Sequence, residues 1–143
     1  MKKLIYVAGL SFFLLGCVTT DIYVFPVADT NELEMVCIVE NEKVAVGDFI
    51  SVVERRFAHH GIKTKLIENR KECVFTLDYT AERSWDIRPY LNYALITLRK
   101  DGVMIGNAEF HDAGGLTLSK YASTDVKMNP VIDQLLGSLD GSK

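Results

Sequence analysis

Asp101-Gly102 stands between two long strand-like runs, Tyr90 to Arg99 and Val103 to His111. Such a dipeptide accepts the left-handed backbone that a two-residue turn needs, and that turn matches the natural twist of paired strands. An antiparallel hairpin is therefore predicted here. Just upstream, Cys73 to Ala81 alternates strictly. Cys73, Phe75, Leu77, Tyr79 and Ala81 point one way; Val74, Thr76, Asp78, Thr80 and Glu82 point the other. One packed face and one wet face is the pattern of an antiparallel sheet.

Shorter extended runs precede this block. Ile22 to Val27 reads as a strand whose Pro26 marks an edge or an end. Met35 to Val39 and Ile62 to Ile67 read as two more, and Leu116 to Tyr121 as a brief return. Between them, Phe49, Val52, Val53 and Phe57 recur on one face of a helix over 49–60, with Asp48 as its N-cap and Gly61 as its left-handed stop. A second helix closes the chain. It is capped either by Thr124 or by Asn129 with Pro130 in the first helical position, and its stripe is Met128, Val131, Ile132, Leu135, Leu136 and Leu139.

The expected fold is α+β: a four- to five-stranded, mostly antiparallel sheet with two amphipathic helices packed on one face. This layout resembles the small two-helix sheet domains of envelope lipoproteins, such as the lipopolysaccharide-assembly lipoproteins. The likeness is architectural and carries no motif with it.

The N-terminus has a pattern of its own. Lys2 and Lys3 precede an apolar run from Leu4 to Leu15, which ends in Leu14-Leu15-Gly16-Cys17. A run of about 12 residues suits a secretory signal and is too short to cross a bilayer comfortably. The arrangement resembles the leader of bacterial lipoproteins. The resemblance implies cleavage before Cys17, a diacylglycerol on its sulfur and a fatty acyl group such as palmitate on its new amine. Val18-Thr19, in place of an Asp after the cysteine, implies delivery to the outer membrane, facing the periplasm. The expected organisation is a signal peptide over 1–16, a lipidated tether over 17–21 and one periplasmic domain over 22–140. Removing 16 residues from 143 leaves 127, enough for one domain with a core.

Cys37 and Cys73 remain. In an oxidising compartment they read as a disulfide closing a loop of about 37 residues, contributing roughly 2–4 kcal/mol; two buried thiols in adjacent strands are the alternative. Neither has a Cys or His at ligand spacing, so no metal is expected. His59 and His60 are adjacent on a helix and point about 100° apart, which argues against a shared ion. No cofactor is expected. Without Lys2 and Lys3, 14 basic residues face 19 acidic ones, a charge of −5 that argues against nucleic acid as partner.

The densest polar and aromatic segment runs from Tyr79 to Tyr90. Arg83, Trp85, Asp86, Arg88 and Tyr90 are the candidate interaction residues, because aromatics and Arg concentrate binding energy at interfaces. The competing reading is a loop folded over the sheet end with Trp85 buried. Asp78, Glu82, Asp86, Glu109 and His111 could serve a glycan-binding or hydrolytic module if they met in space. Thr76, Asp78, Thr80, Asn92, Thr97 and Asn107 could line a polar docking face. No nucleophile elbow, zinc-helix motif or phosphate-cradling loop accompanies them. The expected function is a membrane-anchored, non-catalytic lipoprotein acting through protein contacts in cell-envelope assembly or maintenance. A surface-exposed host-interaction lipoprotein is a further alternative.

Overall fold

The computed structural model describes residues 20–137. Cys17, the leader, and Leu139 of the last apolar stripe lie outside the described residues.

The predicted hairpin forms between β5 (Pro89–Lys100) and β6 (Val103–Asp112). Asp101 takes φ +49° and Gly102 φ +81°, the two left-handed positions the turn requires. β4 (Phe75–Trp85) pairs antiparallel with β5 on the other side. The connection expected over Arg83 to Pro89 shrinks to 86–88, because pairing resumes after a register shift between Glu82 and Arg83. An irregularity of this kind bends the strand and lets it outrun the packed sheet. None of the β4 side chains past Glu82 is buried, so that part of the strand shows no alternation in sequence.

The sheet has six strands, not four or five, and it is mixed. Its order is β1-β6-β5-β4-β2-β3, with β1 at Thr20–Phe25, β2 at Met35–Val39 and β3 at Lys63–Ile67. β1 opens inside the stretch read as tether. β2 runs parallel to both β3 and β4. The physical reason is α1 (Phe49–His59), which carries the chain back between β2 and β3 and makes their parallel alignment possible. Leu116 to Tyr121 is not a strand. Gly114 and Gly115 take positive φ, and Leu118–Tyr121 coils into a 3-10 turn.

Phe49, Val52, Val53 and Phe57 are buried, as the helical spacing predicts. Asp48 does precede α1, but its backbone is helical and its side chain caps nothing; the carboxylate instead accepts from Arg83 Nη2 at 3.1 Å. Gly61 follows with φ +76°. α2 spans Thr124–Leu135, with Ser123 extended at the cap position. Pro130 therefore lies inside the helix rather than opening it. It faces solvent, where water can satisfy the carbonyl it leaves without a donor.

Both helices cover one face of the sheet. Phe49, Phe57, Leu77, Ile96, Leu98, Phe110, Met128 and Ile132 fill the layer between. The helices are clasped where Asp133 accepts from Arg56 Nε at 2.6 Å and meets His60 Nε2 at 2.7 Å. Gly106 lies beneath α2, where a Cβ would come within 2.8 Å of the Val27 side chain and 3.1 Å of Leu135. Cys37 of β2 and Cys73, just before β4, form the expected disulfide. No helix among the described residues is long and apolar enough to cross a membrane.

Candidate functional site

The β4–β5 hairpin projects from one end of the sheet, and a strap over 113–123 crosses beside it to reach α2. Two lysines fasten the strap. Lys127, in the first turns of α2, is buried with its ammonium donating to the Leu91 carbonyl (2.8 Å), the Lys120 carbonyl (2.5 Å) and Asp112 Oδ2 (3.0 Å). The Lys127 and Asp112 side chains are 6% and 2% exposed, so this ion pair is sealed from water. Asp112 Oδ1 also accepts from the Gly114 amide at 2.9 Å. Gly114 has φ +81°, and a Cβ there would stand 2.8 Å from Tyr90 Oη. The left-handed backbone is what favours glycine here.

Lys120 forms the second latch. Its ammonium donates to the Gly115 carbonyl at 2.7 Å and to the Asp86 carboxylate in the hairpin loop. The Lys120 bond holds the Asp86 carboxyl below the usual carboxylate range, and Asp86 raises Lys120 in return. Aromatic rings fill the space around the ammonium groups. Lys127 lies 5.4 Å from the Tyr90 ring centre, and Arg88 lies 4.7 Å above Tyr121. Tyr90 and Tyr121 meet edge to face at 6.0 Å. Such cation–ring contacts strengthen where water is excluded.

This charged interior supports an apolar exterior. Trp85 is 76% exposed and Ile87 84%, while Leu116 and Leu118 on the strap are 104% and 84% exposed. The reading with a buried Trp85 is therefore overturned. The carboxylate of Asp86 and the ring of Tyr90 turn toward the lysines and Arg88 lies over Tyr121, while Trp85 and Ile87 turn outward. Arg83 sits at the base, paired with Asp48.

The other candidate residues do not converge. Asp78 is clamped by Arg70 at 2.8 Å and by Arg99 at 3.0 Å. It lines a groove of about 510 Å³ with Asn41, Lys43, Thr80 and Thr97. Glu82 lies four residues further along β4, opposite Tyr93, which in turn lies opposite His111. One strand thus separates Glu82 from His111. Glu109 is opposite Leu95, one row away, and burial together with Glu109 pushes the Tyr93 phenol above its ordinary range. Asp86 belongs to the tip. Of the proposed polar docking face, Thr76 is buried, while Asp78, Thr80 and Thr97 share the groove. Among the described residues no cluster of three or more His, Cys, Asp or Glu is placed to hold a metal ion.

The hairpin is legible in the sequence; the strap is not. Lys127 carried a legible signal: it falls four residues before Val131 on the buried stripe of α2, where a cation needs a partner. Leu116 and Leu118 were masked by their resemblance to a strand.

No family model matches the chain, and no curated protein matches it. A solved structure of a single-site PelC variant from Paraburkholderia phytofirmans, described as a dodecamer, superposes with a TM-score of 0.54. The match covers 78% of this chain and 96% of that one at 12% identity. At that identity the likeness is one of fold alone.

Proposed function

We propose that this chain is a membrane-anchored envelope lipoprotein that acts without catalysis, through protein contacts made at the outer membrane on its periplasmic side. The observation that carries the reading is the run Leu14-Leu15-Gly16-Cys17, which ends three residues before β1 begins. A lipid on Cys17 would hold the folded domain against its membrane. The Cys37–Cys73 disulfide agrees with an oxidising compartment. Glu82 stands a full strand away from His111, Glu109 lies one row off, and Asp78 and Asp86 are held in ion pairs, a geometry that suits binding better than acid–base chemistry. Self-association is one form the contacts could take, since the PelC structure of similar fold is a dodecamer.

The test is fractionation of cells carrying the full chain or its Cys17→Ser variant, with a labelled fatty acid in the medium. The unaltered chain is expected in the outer-membrane fraction with label attached. The variant is expected unlabelled, as an uncleaved precursor. Equal labelling of both would sink the reading.

A further inference from the structure

We infer that the apolar tip formed by Trp85, Ile87, Leu116 and Leu118 dips into the headgroup region of the leaflet that holds the Cys17 lipid. The inference rests on the lipoprotein reading and adds a second, protein-made contact with the same surface.

Register supplies the first argument. Thr20 pairs with Asp112, at the end of β6 from which the strap departs. β1 therefore begins at the same end of the sheet as the β4–β5 tip. Cys17 precedes Thr20 by three residues, a reach of at most about 10 Å. The hairpin runs on from Tyr93, opposite His111, to Pro89, opposite Trp85. At about 3.3 Å per residue it rises roughly 10–13 Å beyond the row where β1 begins. An extended tether is long enough to reach the level of the tip, so a lipid at Cys17 would let the membrane surface meet Trp85.

Composition supplies the second. Ala113 to Ser119 contains no charged residue. In the loop Asp86 to Arg88 the one acid is tied to Lys120, and the Arg88 guanidinium lies over the Tyr121 ring. Tryptophan flanked by aliphatic side chains and arginine is the composition favoured at the boundary between headgroups and acyl chains. The latches of Lys120 and Lys127 would hold the tip in this form before it meets lipid.

Trp85 is the sole tryptophan, so intrinsic fluorescence reports on the tip directly. The mature full chain would be extracted from membranes and reconstituted into vesicles of phosphatidylethanolamine and phosphatidylglycerol. Emission is expected to shift to shorter wavelength, to be quenched by lipids brominated near the top of their acyl chains, and to resist aqueous iodide. The double variant Leu116→Asp/Leu118→Asp, altered only at exposed positions, should still float with vesicles yet lose the shift and the quenching. Floating protein whose Trp85 stays iodide-accessible overturns the inference while leaving the anchor intact. Trp85 protected in whole envelopes but not in pure lipid assigns the tip to a protein partner, which also overturns it. An unmodified Cys17 in the mass spectrum of the sample removes the anchor reading and the inference with it.

Discussion

At the β5–β6 end of the sheet the chain reverses in two residues, and the surroundings are ionic and wet. Lys100 pairs with Glu32, both well exposed, and the apolar side chains of Val74 and Val103 sit close in sequence to Glu72, Lys100 and Asp101. At the β4–β5 end Lys127, Asp112 and Lys120 are inside and apolar groups are outside. Lys127 and Asp112 are sealed, Lys120 is nearly so, and Trp85, Ile87, Leu116 and Leu118 face outward. An exposed pair holds little, because water screens it and two long side chains must be ordered to form it. A buried pair is costly to desolvate, yet removing one partner strands the other. The tip is thus held in place by an arrangement that contributes little net stability and tolerates little change.

The largest expected effect breaks that comparison directly. Lys127→Ala should cost about 3–5 kcal/mol in chemical denaturation, since it leaves the Asp112 carboxylate buried without its cation. Lys100→Ala at the other end should leave the denaturation midpoint unmoved. Equal effects would mean that the two ends are held alike.

Reduction of Cys37–Cys73 comes next. Loss of the cross-link should lower stability by roughly 2–4 kcal/mol. The bridge ties β2 to the start of β4, far along that strand from Trp85. Trp85 emission should therefore be unchanged by reduction below the unfolding transition. A change in emission on mild reduction would show that the tip depends on the far end.

The smallest expected effect lies in the clasp between the helices. Burial opposes ionisation of Asp133, but the bonds from Arg56 and His60 overcome it and hold the carboxyl below its ordinary value. Stability from this group is present above the unfolded value of about 3.9 and is lost as pH falls through the folded one. Asp133→Asn should cost about 1–3 kcal/mol at neutral pH. The gap between the variant and the unaltered chain should close in urea titrations carried below pH 4. A gap that persists in acid would place the loss in packing rather than charge.

Sequence was most legible where one side chain's chemistry decides the backbone. Asp101-Gly102 specifies its turn, and the spacing of Phe49, Val52, Val53 and Phe57 specifies a buried helical face. The alternation from Leu77 to Ala81 likewise specifies which side is packed. The signal failed where pairing is non-local. Parallel alignment of β2 with both β3 and β4 leaves no mark on five-residue strands, and β4 past Glu82 buries none of its side chains, so no period marks it. The strap misled because Leu-x-Leu alternates like a strand, while two glycines with positive φ deny it that geometry.

The sequence by itself determined the α+β class, the β5–β6 turn, the faces of α1 and β4, and the cysteines available to pair. It also placed Cys17 a few residues before the first strand, whose start at Thr20 the structure fixed. Only the tertiary structure decided that β1 begins beside the β4–β5 tip, that Lys127 and Asp112 meet inside it, and that Trp85 points outward. Local patterns report the solvent on either side of one segment. Which segments share an end of the sheet depends on contacts between residues far apart in the chain, and a pattern of that kind is written nowhere along it.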